Sequence, residues 1–240
     1  MRNFLKSNMK NVIITQSNYI PWKGYFDAMN CVDEFVIYDD MQYTKRDWRN
    51  RNKIKTQNGL IWLTIPVEVK GKFFQKIKDT KISEKSWNIS HWNSIVAAYS
   101  KSKYFNHYKP FFEDLYLNCD SLYLSEVNFL FINSICELLN INTNFKWSSE
   151  FVLAEEKTER LVKICKELGA TDYYSGPAAK NYMNEDLFLK DKIDIHYFDY
   201  SNYPIYNQLH SEFTHEVSVI DLIFNEGPDS YKFLKHSKHI

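Results

Sequence analysis

Between Asn11 and Asp40 the chain reads strand, helix, strand, and that order limits its fold more than any other feature. NVIITQ (11–16) is a short apolar run suited to a buried strand. SNYIPWKGYFDAMN follows, with apolar residues at helical spacing and Pro21 at an expected first helical position. EFVIYDD (34–40) is a second apolar run, and it ends in two carboxylates. Two strands joined through a helix point to the crossover of a parallel βαβ unit. Sheets of that kind bind ligands beyond the carboxyl ends of their strands. Here those ends are Gln16–Ser17–Asn18 and Asp39–Asp40.

The remaining pattern extends the same architecture. Asn58-Gly59 signals a hairpin between NKIKT and LIWLTIPVEV, and FFQKIKDTKIS (73–83) is expected to add a strand. From Ser86 to Asn140 the spacing predicts three helices, the last capped by Ser125. EEKTERLVKICKELGA is an amphipathic helix closed by Gly169. TDYYSG (171–176) and IDIHYFDY (193–200) read as strands, and SVIDLIFNEGPDSYKFLK as one or two helices. The expected fold is α/β: a mainly parallel, Rossmann-like sheet flanked by helices, with a β-hairpin and a helical insertion. One domain is expected over 11–240, with a helical subdomain at about 86–140. A flexible N-terminus is expected over 1–10, with Met9 a candidate natural start.

The charge balance narrows the function. The chain of 240 residues carries 30 basic and 30 acidic residues, which argues against bulk nucleic-acid binding. No apolar run reaches membrane-span length, and MRNFLKSNMK lacks the apolar centre of a signal peptide. Cys31, Cys119, Cys136 and Cys165 show no metal-ligand spacing, so reduced thiols and a cytoplasmic location are expected. Aromatic residues make up 17% of the chain, so tyrosine and tryptophan tips in the core will need hydrogen-bond partners.

Within this neutral chain, DDMQYTKRDWRNRNKIK (39–55) gathers Lys45, Arg46, Arg49, Arg51, Lys53 and Lys55 against one later acid, Asp47. Tyr43 and Trp48 are interleaved. Arginine forks recognise phosphate, and aromatic faces stack on flat groups, so the segment is a candidate site for a phosphorylated small molecule. A solvated charged loop is the other reading. With six glycines and no GxGxxG or P-loop, phosphate binding must fall to side chains. Asp39 and Asp40 are candidate general bases or metal-and-phosphate partners, or else carboxylates that pair with the following cations. No third carboxylate or histidine lies close in sequence, so no metal cage is expected. His91, between Trp87 and Trp92, is the histidine best placed for catalysis, unless it is a packed core residue. His107, His196, His210 and His215 carry weaker cases, and His236 and His239 read as tail residues. Ser175 lies on a turn but outside any GxSxG motif.

The residues also resemble a known family. Gln16-Ser17-Asn18-Tyr19-Ile20-Pro21-Trp22, Gly24-Tyr25-Phe26-Asp27 and Asp39-Asp40-x-Gln42-Tyr43-x-Lys45-Arg46-x-Trp48-x-Asn50-Arg51 look like the opening of WbqC-like proteins. Trp62–Val67, His91-Trp92, Tyr203-Pro204-x-Tyr206-x-Gln208 and the Ser218–Gly227 block fit the same pattern. Ser17 stands where such proteins commonly carry proline, a change expected to relax the turn slightly. The resemblance implies bacterial O-antigen, lipopolysaccharide or other surface-polysaccharide biosynthesis. It implies acyl or aminoacyl (glycyl-type) transfer to a nucleotide-linked amino sugar. The acyl donor would be a thioester or adenylate, with no tightly bound cofactor and an acyl-carrier protein as a possible partner. On that reading His91, Asp40 or Asp39 would take the proton. Gln16, Asn18, Tyr19, Trp22, Gln42, Tyr43, Lys45, Arg46, Trp48, Asn50, Arg51 and Ser175 would bind substrate and phosphate. The alternatives are a nucleotidyl-transferase-like or ligase-like enzyme, or a non-catalytic module for a sugar nucleotide or carrier protein.

Overall fold

The computed structural model describes residues 9–210 and 212–236. Most of the segment expected to be flexible, and His239, lie outside those residues. Strand β1 (Asn11–Thr15) leads through helix α1 (Lys23–Asn30) to β2 (Glu34–Ile37), parallel to β1 as the opening pattern requires. A hairpin of β3 (Arg51–Thr56) and β4 (Gly59–Thr64) turns at Asn58-Gly59. Helices α2 (Trp87–Tyr99), α3 (Phe105–Leu117) and α4 (Leu124–Leu138) follow. The chain returns to the sheet as β5 (Asn144–Trp147), α5 (Lys157–Leu168), β6 (Asp172–Ser175), α6 (Glu185–Lys190) and β7 (Asp194–Tyr197). It ends with α7 (Val219–Glu226) and a 3-10 segment.

The five sheet strands lie in the order β5-β2-β1-β6-β7, every neighbouring pair parallel. The chain starts in the centre, winds outward through β2 to β5, then crosses back to β6. The strand order therefore reverses at β1, and a crevice opens beside its carboxyl end. Alternate side chains face opposite layers. Val12, Ile14 and Val36 pack with Val162, Ile164, Cys165 and Phe188 of α5 and α6. Ile13, Phe35 and Ile37 pack with α1 and the helical block on the other face. Covering on both faces explains why β1 and β2 are near-continuous apolar runs. Gly169 ends α5 in the left-handed region at φ 68°, and its N–H caps the helix carbonyls.

Three local expectations change. The 73–83 stretch forms no strand. Gln42, Val67 and Tyr123 each bridge one of its residues, and a 3-10 turn at Ile77–Asp79 interrupts it. Ser125 is not a cap, because α4 begins at Leu124 and the Ser125 hydroxyl donates to Asp39 instead. Helix α1 begins at Lys23, two residues after Pro21, with Trp22 as its extended N-cap. The Pro21 carbonyl instead accepts the Val219 N–H at 3.0 Å, joining the start of α1 to α7. Gly24 makes room for the Trp22 indole, since a Cβ there would meet the ring at 2.2 Å.

Helix α7 is fastened through Asp221, which is fully buried. Its carboxylate accepts from Tyr99 Oη at 2.9 Å, Tyr206 Oη at 2.7 Å and Gln208 Nε2 at 2.9 Å. Asp221→Ala leaves these buried donors unmatched. Urea denaturation of the variant is expected to show a loss of about 3 kcal/mol, with folding still cooperative.

Candidate functional site

The carboxyl ends of β1 and β2 are joined by a buried knot. Asp39 accepts from the Ser17 N–H at 2.9 Å, the Ser17 hydroxyl at 2.6 Å and the Ser125 hydroxyl. Asn128 donates to Ser17 Oγ and to the Arg49 carbonyl, both at 2.9 Å. Burial pushes the Asp39 carboxyl up, while the serine hydrogen bonds and the Arg49 charge oppose the rise. Ser17 thus does more than relax a turn, because proline would supply neither of its two donors. Asp40 accepts from Ser148 Oγ at 2.9 Å and pairs with Lys78 at 2.7 Å and Lys76 at 3.2 Å. Burial raises its pKa, but these hydrogen bonds outweigh that and hold it below the usual range. Both carboxylates are therefore committed to structural partners. The lysines that hold Asp40 come from the 73–83 stretch rather than from the basic segment.

The six cations of that segment do not converge. Arg49 turns inward, donating to Gln16 Oε1 at 3.1 Å and to Asn18 Oδ1. The Arg51 guanidinium lies 4.1 Å over the Trp62 ring, and Trp62 packs on Trp48 at 5.3 Å. Lys53, opposite Trp62 in the hairpin, pairs with Glu216 at 2.6 Å. Lys55 is buried against the C-terminal loop, bonding Gln208 Oε1 at 3.0 Å and the Glu212 carbonyl at 2.6 Å. Lys45 and Arg46 are exposed. Asn50 and Tyr43 are buried, with Asn50 Nδ2 donating to the Ile65 carbonyl at 2.8 Å. Gln42 donates to the Phe73 carbonyl at 2.8 Å.

A pocket of about 420 Å³ opens between the turn after β1, the start of the hairpin and the 215–217 loop. Trp22 and Trp48 wall it, with Asn18, Asn52, His215 and Glu216 as its polar lining. Trp22 also bounds a second cavity of about 110 Å³ that Thr15, Ser175, Gly176 and Tyr200 complete. Of the expected site residues, Asn18, Trp22 and Trp48 therefore meet at the larger pocket, Gln16 is held behind it by Arg49, and Ser175 lies in the smaller one. His215, for which the sequence made a weaker case, also lines the larger pocket. Its ring packs on Phe213 at 4.5 Å, and its Nδ1 is buried with no partner among the described residues. Burial and the Lys23 charge lower its pKa, favouring the neutral imidazole. Lys23 itself is buried, donates to the Pro204 carbonyl at 2.5 Å and lies 5.0 Å over the Tyr206 ring. Burial lowers its pKa to about 8, against the opposing charges of Asp27 and Asp221. His215 lies in a loop with no periodicity, so only Lys23, a charge among apolar residues at a helix start, hinted at this corner.

His91 lies in the core and is not among the pocket walls. Its Nε2–H donates to the Thr64 carbonyl at 3.2 Å, which leaves Nδ1 to accept from Tyr19 Oη at 2.9 Å. Tyr19 and Tyr116 share a further bond at 2.9 Å. Burial lowers the His91 pKa to about 4 from 6.5, although the Thr64 bond opposes it. The unfolded chain thus binds a proton that the folded one refuses between those values. The associated stability is full above pH 6.5 and drains as pH falls toward 4, by about 3 kcal/mol. Urea midpoints measured across this window should fall steeply for the wild type and more shallowly for His91→Gln.

Asp27, Cys31 and His236 form one group of potential metal ligands, their donor atoms within 4.8 Å of one another. The Asp27 oxygens already accept from Tyr203 Oη at 2.5 Å, the His236 N–H at 2.7 Å and His236 Nδ1 at 2.8 Å. The group thus also fastens the segment at His236 to α1. Among the described residues no helix is long and apolar enough to cross a membrane.

A five-stranded parallel sheet flanked by helices, with a separate antiparallel hairpin, defines a Rossmann-like α/β protein. Residues 16–233 match the WbqC-like protein family, and the chain belongs to that family. It is also similar to an uncharacterised protein of Mycobacterium tuberculosis, Rv1507c, at 46% identity over 230 residues. That match covers 96% of this chain and the whole of the relative. No solved structure matches it.

Proposed function

We propose that the protein transfers an acyl or aminoacyl group to the amine of a nucleotide-linked amino sugar, in the pocket between Trp22 and Trp48. The observation that carries this reading is that His215 lines a pocket walled by two indoles. A flat base would stack on an indole face. Arg51, beside Trp62, and the exposed Arg46 would meet the diphosphate. The sugar amine attacks the activated carbonyl, and the carbon–leaving-group bond then breaks to release thiolate or adenylate. The His215 imidazole takes the amine proton, and a neutral imidazole near pH 7 suits that task. Arg49 occupies Asn18 Oδ1, so Asn18 offers its Nδ2–H to the developing oxyanion. His215 here takes the role first expected of His91 and Asp40. Surface-polysaccharide synthesis in the cytoplasm is the setting this reading implies.

Thermal-shift measurements with nucleotide-linked amino sugars, ATP and coenzyme A test the proposal. One amino-sugar nucleotide should raise the melting temperature of the wild type. Trp48→Ala should weaken that binding about tenfold, through loss of one stacked ring. His215→Gln should keep the shift but lose transfer, measured as acylated sugar nucleotide. A shift with ATP alone would favour ligase chemistry instead. Transfer undiminished in His215→Gln would remove the histidine from the mechanism.

A further inference from the structure

The loop after the hairpin carries a feature that the pocket does not use. Phe73 and Phe74 are 71% and 83% exposed, although each could bury a large apolar area. Their rings touch edge to face at 4.9 Å and project as one wedge. Gly71, at φ 72°, supplies the left-handed turn just before them. The base of the loop is fixed by the bond from Gln42 to the Phe73 carbonyl at 2.8 Å. Backbone bonds from Tyr43 to Gln75 and from Ile77 to Met41, both at 2.9 Å, reinforce it. The wedge is therefore a preformed projection on a pinned base.

Its surroundings are basic in a chain that is neutral overall. Lys45, Arg46, Lys70 and Lys72 are all exposed around it, and Glu68 and the half-buried Asp47 are the nearby acids. Glu68 pairs with Lys72, whereas no acid pairs with Lys45, Arg46 or Lys70 among the described residues. A groove of about 380 Å³ lies between the 42–45 and 69–75 segments, with Lys45, Lys72 and Phe73 among its walls.

We propose that this loop docks the protein on an anionic phospholipid surface. The two phenyl rings enter the interface, the cations meet lipid phosphates, and the groove seats a headgroup. A projecting wedge suits a deformable surface better than a rigid partner, which would need a matching socket. The surrounding charge also selects the occupant: a second copy would bring cations against cations, whereas phosphates complement them. Aromatic insertion and charge each bind weakly alone, and together they give a reversible peripheral contact.

The test is co-sedimentation of the full chain with vesicles of phosphatidylcholine alone or mixed with phosphatidylglycerol. Sedimentation velocity without lipid would run alongside. The wild type should bind the anionic vesicles, and added salt should weaken that binding. Phe73→Ser/Phe74→Ser should reduce binding at least about tenfold with the melting temperature unchanged, because both rings are already exposed. Lys45→Gln/Lys70→Gln should reduce it without affecting folding. Failure of the wild type to bind either vesicle would overturn the proposal. So would equal binding by the phenylalanine double variant, which would indicate charge alone. A self-association that the double variant abolishes, with no vesicle binding, would assign the wedge to a second copy instead.

Discussion

The carboxyl edge of the sheet depends on one buried carboxylate. Asp39 gathers donors from the end of β1 and from α4, and its backbone carbonyl takes the Lys78 N–H at 3.0 Å. Asn128 extends the knot to the Arg49 carbonyl, and Arg49 then sets Gln16 and Asn18. The Trp48 carbonyl accepts the Tyr19 N–H at 3.1 Å, which holds the indole beside the pocket. A carboxylate so enclosed is stabilised only by its complete set of donors. It therefore specifies how two strand ends, a loop and a helix meet.

The same logic recurs through an aromatic-rich interior. Tyrosine hydroxyls taken out of water must find partners. Tyr19 and Tyr116 find each other and His91, Tyr99 and Tyr206 find Asp221, and Tyr203 finds Asp27. Polar groups in the core thus serve mainly as anchors between distant segments. His215 differs from them in position, because it lines the pocket. That position, against the enclosure of His91 in the core, is what directs the chemical reading to His215.

Much of the fold was legible because it follows from local pattern. The opening apolar runs, the Asn58-Gly59 turn and the Gly169 cap all act over a few residues, and each formed as expected. The 73–83 stretch has strand-like composition, but its possible neighbours are single residues from three different segments, so no ladder propagates. The candidate site was legible only in part. Asn18, Trp22 and Trp48 meet at the pocket, yet Lys55 faces inward and Arg51 lies along Trp62. Clustering in sequence shows that cations are near one another, but not which way each side chain points.

By itself the sequence determined the α/β class, the parallel opening unit and the family, because periodicity, turn residues and long motifs are properties of contiguous segments. Tertiary structure alone decided that Asp39 and Asp40 are anchored, that His91 is enclosed, and that His215 faces the pocket. Those outcomes depend on partners far away along the chain: Asp39 meets Ser125, and Trp22 and His215 line one cavity. Burial and hydrogen-bond matching are set by such long-range neighbours, and no local pattern records them.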